Sequence, residues 1–383
     1  MIEPKKKRAK LLSLADFQCK HIRFGLVLSI ILFGYEIGCS PPIEGTNEGS
    51  NQSDNTDESS NGSEDSTTTT PEADDGEDPS EESEGTGTNM DDLKGPCPID
   101  KRVSNFRVQV DPKAPSVSGR ISDGVVPQSV LQPISGDPIK GCSLYSQPNP
   151  HCDPICGPSE FCDFSETCVP YPRQHSAGTI EVLGLVEPVS MMPIGEEGSQ
   201  QYFFTELPPM IVDVDAKLRL VAHGDENDVT AFELHGYGVG PLPDDPSLLT
   251  LRKSRDLELT WEVVGKKASI RIRIFVDQHG ASPLHLICDV PDSGTFSVPK
   301  ELIKQLIESG VTGFPSLAMT RQVMNHTFLP GLGPGCVQFE VSSTNTQGLK
   351  VDGHAPCKTD ADCPEGLICD TTIETCVEEA AKF

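Results

Sequence analysis

Cysteine is the residue type in this chain with the most chemistry to offer, and there are fourteen of them. A thiolate can ligate a metal, attack an electrophile, accept a lipid or oxidise to a disulfide, and spacing separates these fates. Cys19 and Cys39 stand alone near the N-terminus. The other twelve, an even number, fall into groups: Cys97 and Cys142, then Cys152, Cys156, Cys162 and Cys168, then Cys288 and Cys336, then Cys357, Cys363, Cys369 and Cys376. Zinc would call for CxxC-like pairs, which these groups lack. An even, clustered set reads as a disulfide framework made outside the reducing cytosol, with no metal and no cofactor.

Two of the groups look like copies of one unit. Cys156-GPSEF-Cys162-Asp163-FSET-Cys168-Val169 aligns with Cys363-PEGLI-Cys369-Asp370-TTIET-Cys376-Val377, and each is preceded by a further cysteine, at 152 and 357. Four cysteines permit three pairings. We favour first to third and second to fourth in each knob, because crossed loops staple a unit too short to build a core. The remaining four are then expected to pair as Cys97 with Cys142 and Cys288 with Cys336. The second copy, CKTDADCPEGLICDTTIETC, resembles the Dickkopf N-terminal type of cysteine-rich module, whereas the first departs from it in having Cys152 only four positions before Cys156. The resemblance covers about 20 residues per copy and implies a compact extracellular knob, with no receptor inferred.

Other reactive groups form no recognisable constellation. No G-x-S-x-G elbow, HExxH helix, P-loop or strand-linked GxGxxG is present. The histidines beyond the N-terminal segment (151, 175, 223, 235, 279, 285, 326 and 354) are scattered among Gly, Pro and strand neighbours and read as packed or surface residues. The densest acidic stretch, His223-Gly-Asp225-Glu226-Asn227-Asp228, could offer oxygens to a hard cation but reads better as a polar turn. Asp360 and Asp362 are expected to set the turn of the second knob, and Asp213 and Asp215 to lie on the outward face of a strand. The chain is therefore read as non-catalytic. The alternative, an exported hydrolase acting on glycans, would need two carboxylates roughly 5 to 10 Å apart in an aromatic-lined cleft, and aromatics are only 5% of the residues.

Charge narrows the partners. With 30 Lys and Arg against 58 Asp and Glu, the net charge is -28, which argues against nucleic acid and against electrostatic docking on an anionic membrane. The exception is residues 1–23, with seven basic side chains, followed by the apolar run Phe24 to Tyr35. Its length suits the core of an export signal and falls short of a bilayer span. Gly38-Cys39 directly after this run resembles the lipobox of bacterial lipoproteins, although Glu36 stands where that family has an apolar residue. The resemblance implies cleavage before Cys39, lipidation of its thiol and anchoring in the bilayer. Ser40, in place of a retention Asp, implies the outer membrane. From Ser40 to Leu93 the chain has 17 acidic residues and no basic one, too polar to repay the entropy of ordering. It reads as a disordered stalk about 40 Å in span.

The elements that must position all this are strands. Leu257, Leu259, Trp261 and Val263 alternate with polar residues, as do Ile270, Ile272, Ile274 and Val276, so two strands joined through Gly265-Lys266-Lys267 are expected to form a hairpin with Trp261 at the core centre. Further strands are expected over 179–186, 201–206, 211–215, 217–223, 229–235, 284–290, 294–298, 316–320 and 336–342, and one helix over Pro299 to Gly310. The expected fold is mainly β, an immunoglobulin-like β-sandwich with one short helix, divided as follows: a signal over 1–38, an acidic linker over 39–94, a β-rich extension with one disulfide over 95–150, knob 1 over 151–172, the sandwich over 173–350 and knob 2 over 351–383. The expected role is a lipid-anchored envelope protein, periplasmic or surface-facing, that presents the sandwich and knobs to an unidentified envelope or extracellular protein or glycan.

Overall fold

The computed structural model describes residues 92–379, apart from 135, 227, 244–247, 281–282 and 331–334. The signal, Cys39 and the acidic segment through residue 91 lie outside the described residues. In chain order the strands are β1 (Arg102–Gln109), β2 (Ser116–Ser122), β3 (Gln132–Pro133), β4 (Cys142–Ser146), β5 (Glu160–Cys162), β6 (Cys168–Pro170), β7 (Gln174–His175), β8 (Ile180–Leu183), β9 (Val189–Met191) and β10 (Tyr202–Phe204). There follow β11 (Lys217–Ala222), β12 (Phe232–Tyr237), β13 (Leu249–Leu251), β14 (Leu257–Thr260), β15 (Ser269–Phe275), β16 (Leu284–Pro291) and β17 (Thr295–Val298). The helix α1 (Lys300–Glu308) precedes β18 (Ser316–Phe328) and β19 (Cys336–Val351), and β20 (Leu367–Asp370) and β21 (Thr375–Glu378) end the described chain.

The fold is mainly β, a sandwich of the immunoglobulin-like general type with one α-helix among the described residues. Its large sheet runs β10-β2-β1-β19-β18-β15-β16-β4-β3, with β7 on β2 and β13 on β19. One face of this sheet carries two apolar regions. Over β1, β2, β18 and β19 it packs against the sheet β12-β11-β8-β9, burying Phe106, Val108, Val323, Phe339 and Val341 among Leu218, Leu220, Ile180 and Val182. Over β15, β16 and β4 it packs against β14, β17 and α1, burying Ile270, Ile272, Ile274 and Leu286 among Leu259, Val298, Ile303 and Leu306. Period-two alternation drives both halves, and each fully buried Leu or Ile contributes about 1.5 to 3 kcal/mol of transfer free energy. Gly119 is a packing requirement: it faces Phe106 across β1 and β2, where a Cβ would lie 2.0 Å from the ring.

Arg321 lies in the seam between these two apolar regions, on the same face as Val323 and Met319 and fully buried. Its Nε donates to Asp292 Oδ2 at 2.7 Å, its Nη1 to the carbonyls of Gly240 and Pro241 at 3.2 and 3.4 Å, and its Nη2 to the carbonyl of Glu262. One guanidinium thus joins three loops, through carbonyls of two and the carboxylate of the third, where the covering layer changes.

Several expectations are corrected. Leu257 and Leu259 do alternate inward, but β14 ends at Thr260 and pairs with β17, so it forms no hairpin with β15. Trp261 is half-buried at the margin of the second apolar region, its Nε1 donating to Asp292 Oδ1 at 2.6 Å, and Val263 is exposed. Residues 211–215 form a turn, with Asp215 at φ 60 and its carboxylate accepting from the amide of Lys266, so the outward-strand reading of Asp213 and Asp215 fails. Residues 95–150 are no appendage: β1, β2 and β4 belong to the large sheet, and β1 runs parallel to β19. The helix matches its expected span, with Pro299 at its N-cap and Gly310 at φ 129 just beyond it.

The two cysteine pairs outside the knobs are also corrected. Cys97 bonds Cys336 and Cys142 bonds Cys288, in place of Cys97 with Cys142 and Cys288 with Cys336. The sheet explains this: β1 lies beside β19, which brings Cys97 to the start of β19, and β4 lies beside β16 in a register that sets Cys142 opposite Cys288. Among the described residues no helix is long and apolar enough to cross a membrane.

Candidate binding groove at the first cysteine knob

Each knob is a small hairpin held by crossed disulfides. Cys152 bonds Cys162 and Cys156 bonds Cys168 around β5 and β6, and Cys357 bonds Cys369 and Cys363 bonds Cys376 around β20 and β21. The Cys-Asp step has the same task in both copies. Asp163 accepts from the amides of Ser165 and Thr167 at 2.9 and 3.0 Å, and Asp370 accepts from the amide of Thr372 at 2.9 Å. The glutamate before each Thr-Cys takes the left-handed conformation, Glu166 at φ 59 and Glu374 at φ 47. A short polar side chain that caps the turn lets the hairpin close without a core. The Thr167 and Ser165 hydrogen bonds hold the Asp163 carboxyl below the ordinary range. In the second knob Asp360 accepts from the amide of Cys369 at 2.8 Å and Asp362 from those of Lys358 and Thr359 at 2.9 Å, fixing its entry turn.

Knob 1 and the chain leaving β2 enclose a groove of about 390 Å³ whose walls include Val125, Phe161, Phe164, Tyr171, Asp123 and Arg173. Phe161 forms the buried floor, 5.4 Å from the Tyr171 ring, while Phe164 and Tyr171 are 46% and 48% exposed. A second recess of about 370 Å³ lies on the other side of Tyr171, against Gln128, His151 and Ile155, which is 85% exposed. Tyr171 is thus a wall shared by two hollows, presenting an aromatic face to solvent at both.

Asp123 Oδ1 accepts from the amide of Arg173 at 2.9 Å, and its Oδ2 lies 3.3 Å from His175 Nε2. His175 Nδ1 lies 2.5 Å from Asp228 Oδ1, and Asp228 Oδ2 accepts from the amide of Ser176 at 2.6 Å. The Nδ1 contact to Asp228 joins β7 to the loop at 228, while Nε2 is buried near Asp123 without a hydrogen bond. Asp123 and Asp163 do line an aromatic groove, as the glycan-hydrolase reading would ask. In each, Oδ1 accepts from backbone amides, so these carboxylates hold the turns that shape the groove.

The expected polar residues are not gathered at one centre. His223 lies 3.2 Å from Glu181, and Asp228, whose carboxylate grips His175, is the member of the 223–228 stretch that touches the groove region; Asn227 lies outside the described residues. The other histidines bond locally, His235 to Asp92 at 3.0 Å, His279 to Glu374 at 3.4 Å, His326 to the carbonyl of Gly95 and His354 to that of Gly313. The Sγ atoms of Cys152, Cys156 and Cys162, and of Cys357, Cys363 and Cys376, lie within 4.8 Å of one another. Their disulfides account for that proximity, and an oxidised sulfur is a poor metal ligand. Sequence reasoning passed over Phe161, Phe164 and Tyr171, although three aromatics within eleven residues of an aromatic-poor chain were the signal to find them. No family model matches this chain, and no curated protein matches it.

Proposed function

We propose that this chain is a non-catalytic, lipid-anchored protein of the bacterial cell envelope, held at the outer membrane through Cys39, that binds an extracellular or envelope partner at the groove of knob 1. The observation that carries the binding role is the solvent-facing aromatic wall of Phe164 and Tyr171 on a rigid, doubly cross-linked hairpin. Aromatic groups on a rigid mount lose little entropy on association, which suits them to recognition. Twelve paired cysteines support export, and the Phe24 to Tyr35 run with Gly38-Cys39 supports lipidation. The acidic segment before the folded body fits a spacer that holds the knobs away from the bilayer.

Anchoring is tested by metabolic labelling with a radioactive fatty acid. Label that globomycin abolishes and that Cys39→Ala lacks is expected, and an unlabelled wild type refutes the anchor. Binding is tested by probing arrays of envelope glycans and peptides with wild type and with Tyr171→Ala/Phe164→Ala. Signal lost at least tenfold in the variant, at an unchanged melting temperature, is expected, while equal signals place recognition elsewhere.

A further inference from the structure

The face of the large sheet opposite the apolar layers concentrates positive charge in a chain whose net charge is -28. Arg107 alternates with the buried Phe106 and Val108 on β1, and Arg271 and Arg273 alternate with Ile270, Ile272 and Ile274 on β15. A register irregularity between Arg102 and Ser104 accompanies Arg102, which lies within electrostatic reach of Arg107 and Arg271. With the exposed Arg120 of β2, opposite Asn105, five guanidinium groups thus share one surface.

Two carboxylates answer them. Glu340 of β19, opposite Arg107 and 6% exposed, takes Arg107 Nε and Nη2 at 3.0 and 3.1 Å. Asp289 of β16 takes Arg271 Nε and Nη2 at 2.7 and 3.0 Å. Arg273 and Arg102, both half-buried, lack such a two-point partner. Arg273 turns its Nε and Nη2 to Nδ1 of His285 at 3.3 and 3.2 Å, a neutral acceptor, and Arg102 feels Glu340, already held by Arg107, through its field alone. Burial lowers the proton affinity of both, helped by Arg271 at Arg273 and outweighing the opposing pull of Glu340 at Arg102. Cations held near one another and partly out of water cost free energy that a bound anion offsets. Beside them Phe275 stacks on His285 with centroids 4.6 Å apart, and Tyr145 faces His285 from β4.

We infer that this face binds a carboxylated polysaccharide, with Arg102 and Arg273 taking ring carboxylates and the half-buried rings of Tyr145 and Phe275, which flank the buried His285, lying against the sugar rings. β1 and β15 are separated by β19 and β18, about 14 Å at normal strand spacing, and the registers set Arg102 level with Phe328 and Arg273 level with Ala318, roughly 33 Å apart along β18, so the ligand is extended and carries its charges at intervals. A uronate polymer has one carboxylate per sugar ring and offers flat apolar ring faces between them. Duplex nucleic acid, with a charge roughly every 1.7 Å, is repelled far more strongly by so acidic a chain. Planar guanidinium forks match carboxylates in two-point geometry. This site is independent of the knob 1 groove.

The test is titration calorimetry of the full chain with polygalacturonate at low salt, beside neutral dextran and poly-L-glutamate. Binding of polygalacturonate alone is expected, weakening as sodium chloride is added and at least tenfold weaker in Arg102→Gln/Arg273→Gln. Arg219→Gln, which removes an exposed arginine paired with Glu233 on the other sheet, is expected to leave affinity unchanged. No binding to polygalacturonate, equal binding to dextran or poly-L-glutamate, or equal affinity in the double variant overturns the inference. Should the Gln pair not fold, Arg102→Lys/Arg273→Lys decides: a loss of threefold or more supports the two-point contacts and an unchanged affinity overturns them.

Discussion

Arg321 and Asp292 form an ion pair of 2.7 Å with both side chains withdrawn from solvent, 0% and 6% exposed, where the two apolar regions of the sandwich meet. The carboxylate also accepts from Trp261, and the guanidinium from Arg321 also ties three loop carbonyls, so the pair is the middle of a network. A buried charge left without its partner is costly, whereas removal of both partners together is much less so. Asp292→Ala and Arg321→Met are each expected to destabilise by about 3 to 5 kcal/mol. The double variant should fall short of their sum by at least about 1 kcal/mol in urea titrations. Strict additivity would show that the two side chains act separately.

His285 is expected to weaken the fold in mild acid. Burial, then Arg273, lowers its pKa to about 4, and its Nδ1 accepts from Arg273, so the native ring is neutral with its proton on Nε2. The unfolded ring gains a proton below about 6.5, so the unfolded state binds more protons between there and about 4, and stability falls as pH falls across that window. The loss reaches about 3 kcal/mol at most. For Glu340 burial acts to raise the carboxyl, but Arg107 overrides it and holds the value below the ordinary range, which adds a further loss at still lower pH. His285→Gln should flatten the profile between pH 6.5 and 4, and an unaltered profile would mean that the ring is charged in the native state.

Peptide mapping without reductant should recover Cys97 with Cys336 and Cys142 with Cys288, besides the crossed pairs of each knob. The Cys97 to Cys336 link spans 239 residues of sequence, and Cys97→Ser/Cys336→Ser should lower stability by about 3 to 5 kcal/mol. A peptide joining Cys97 to Cys142 would contradict the strand order.

Trp261, half-buried, should cost less on truncation than the centre of a core. Trp261→Ala is expected to destabilise by about 1 to 3 kcal/mol, and Asp292→Ala to shift the indole emission to the red as its hydrogen bond is lost. A cost of 5 kcal/mol, or emission indifferent to Asp292, would place the ring deeper than it lies.

Local alternation identified β15, β16 and the inward phase of Cys288, because burial on one face is written at period two. It could not say which strand lies beside which. Leu257 to Val263 keeps the period past the point where the strand stops, since Trp261 leaves the ladder to bond Gly294 through its amide. β1 finds β19 across more than 200 residues, a pairing with no local trace, and both misread disulfides follow from it and from the pairing of β4 with β16. The knobs were legible to the last sulfur because their pairing is local. The groove was not, since it is made where knob 1 meets the chain leaving β2, and Arg273 on the opposite sheet face looked like any outward residue of an amphipathic strand.

The bridge from Cys97 to Cys336 also sets how tension passes through the molecule. A load applied between the chain upstream of Lys94 and the C-terminus crosses from one sulfur to the other and continues along β19, so roughly 800 Å of contour between them cannot be drawn out. The first knob and its aromatic groove lie inside that bypassed loop. Drag on a body held at its N-terminal end would therefore leave the groove off the load path, and its shape should persist under forces that fray the ends of the chain.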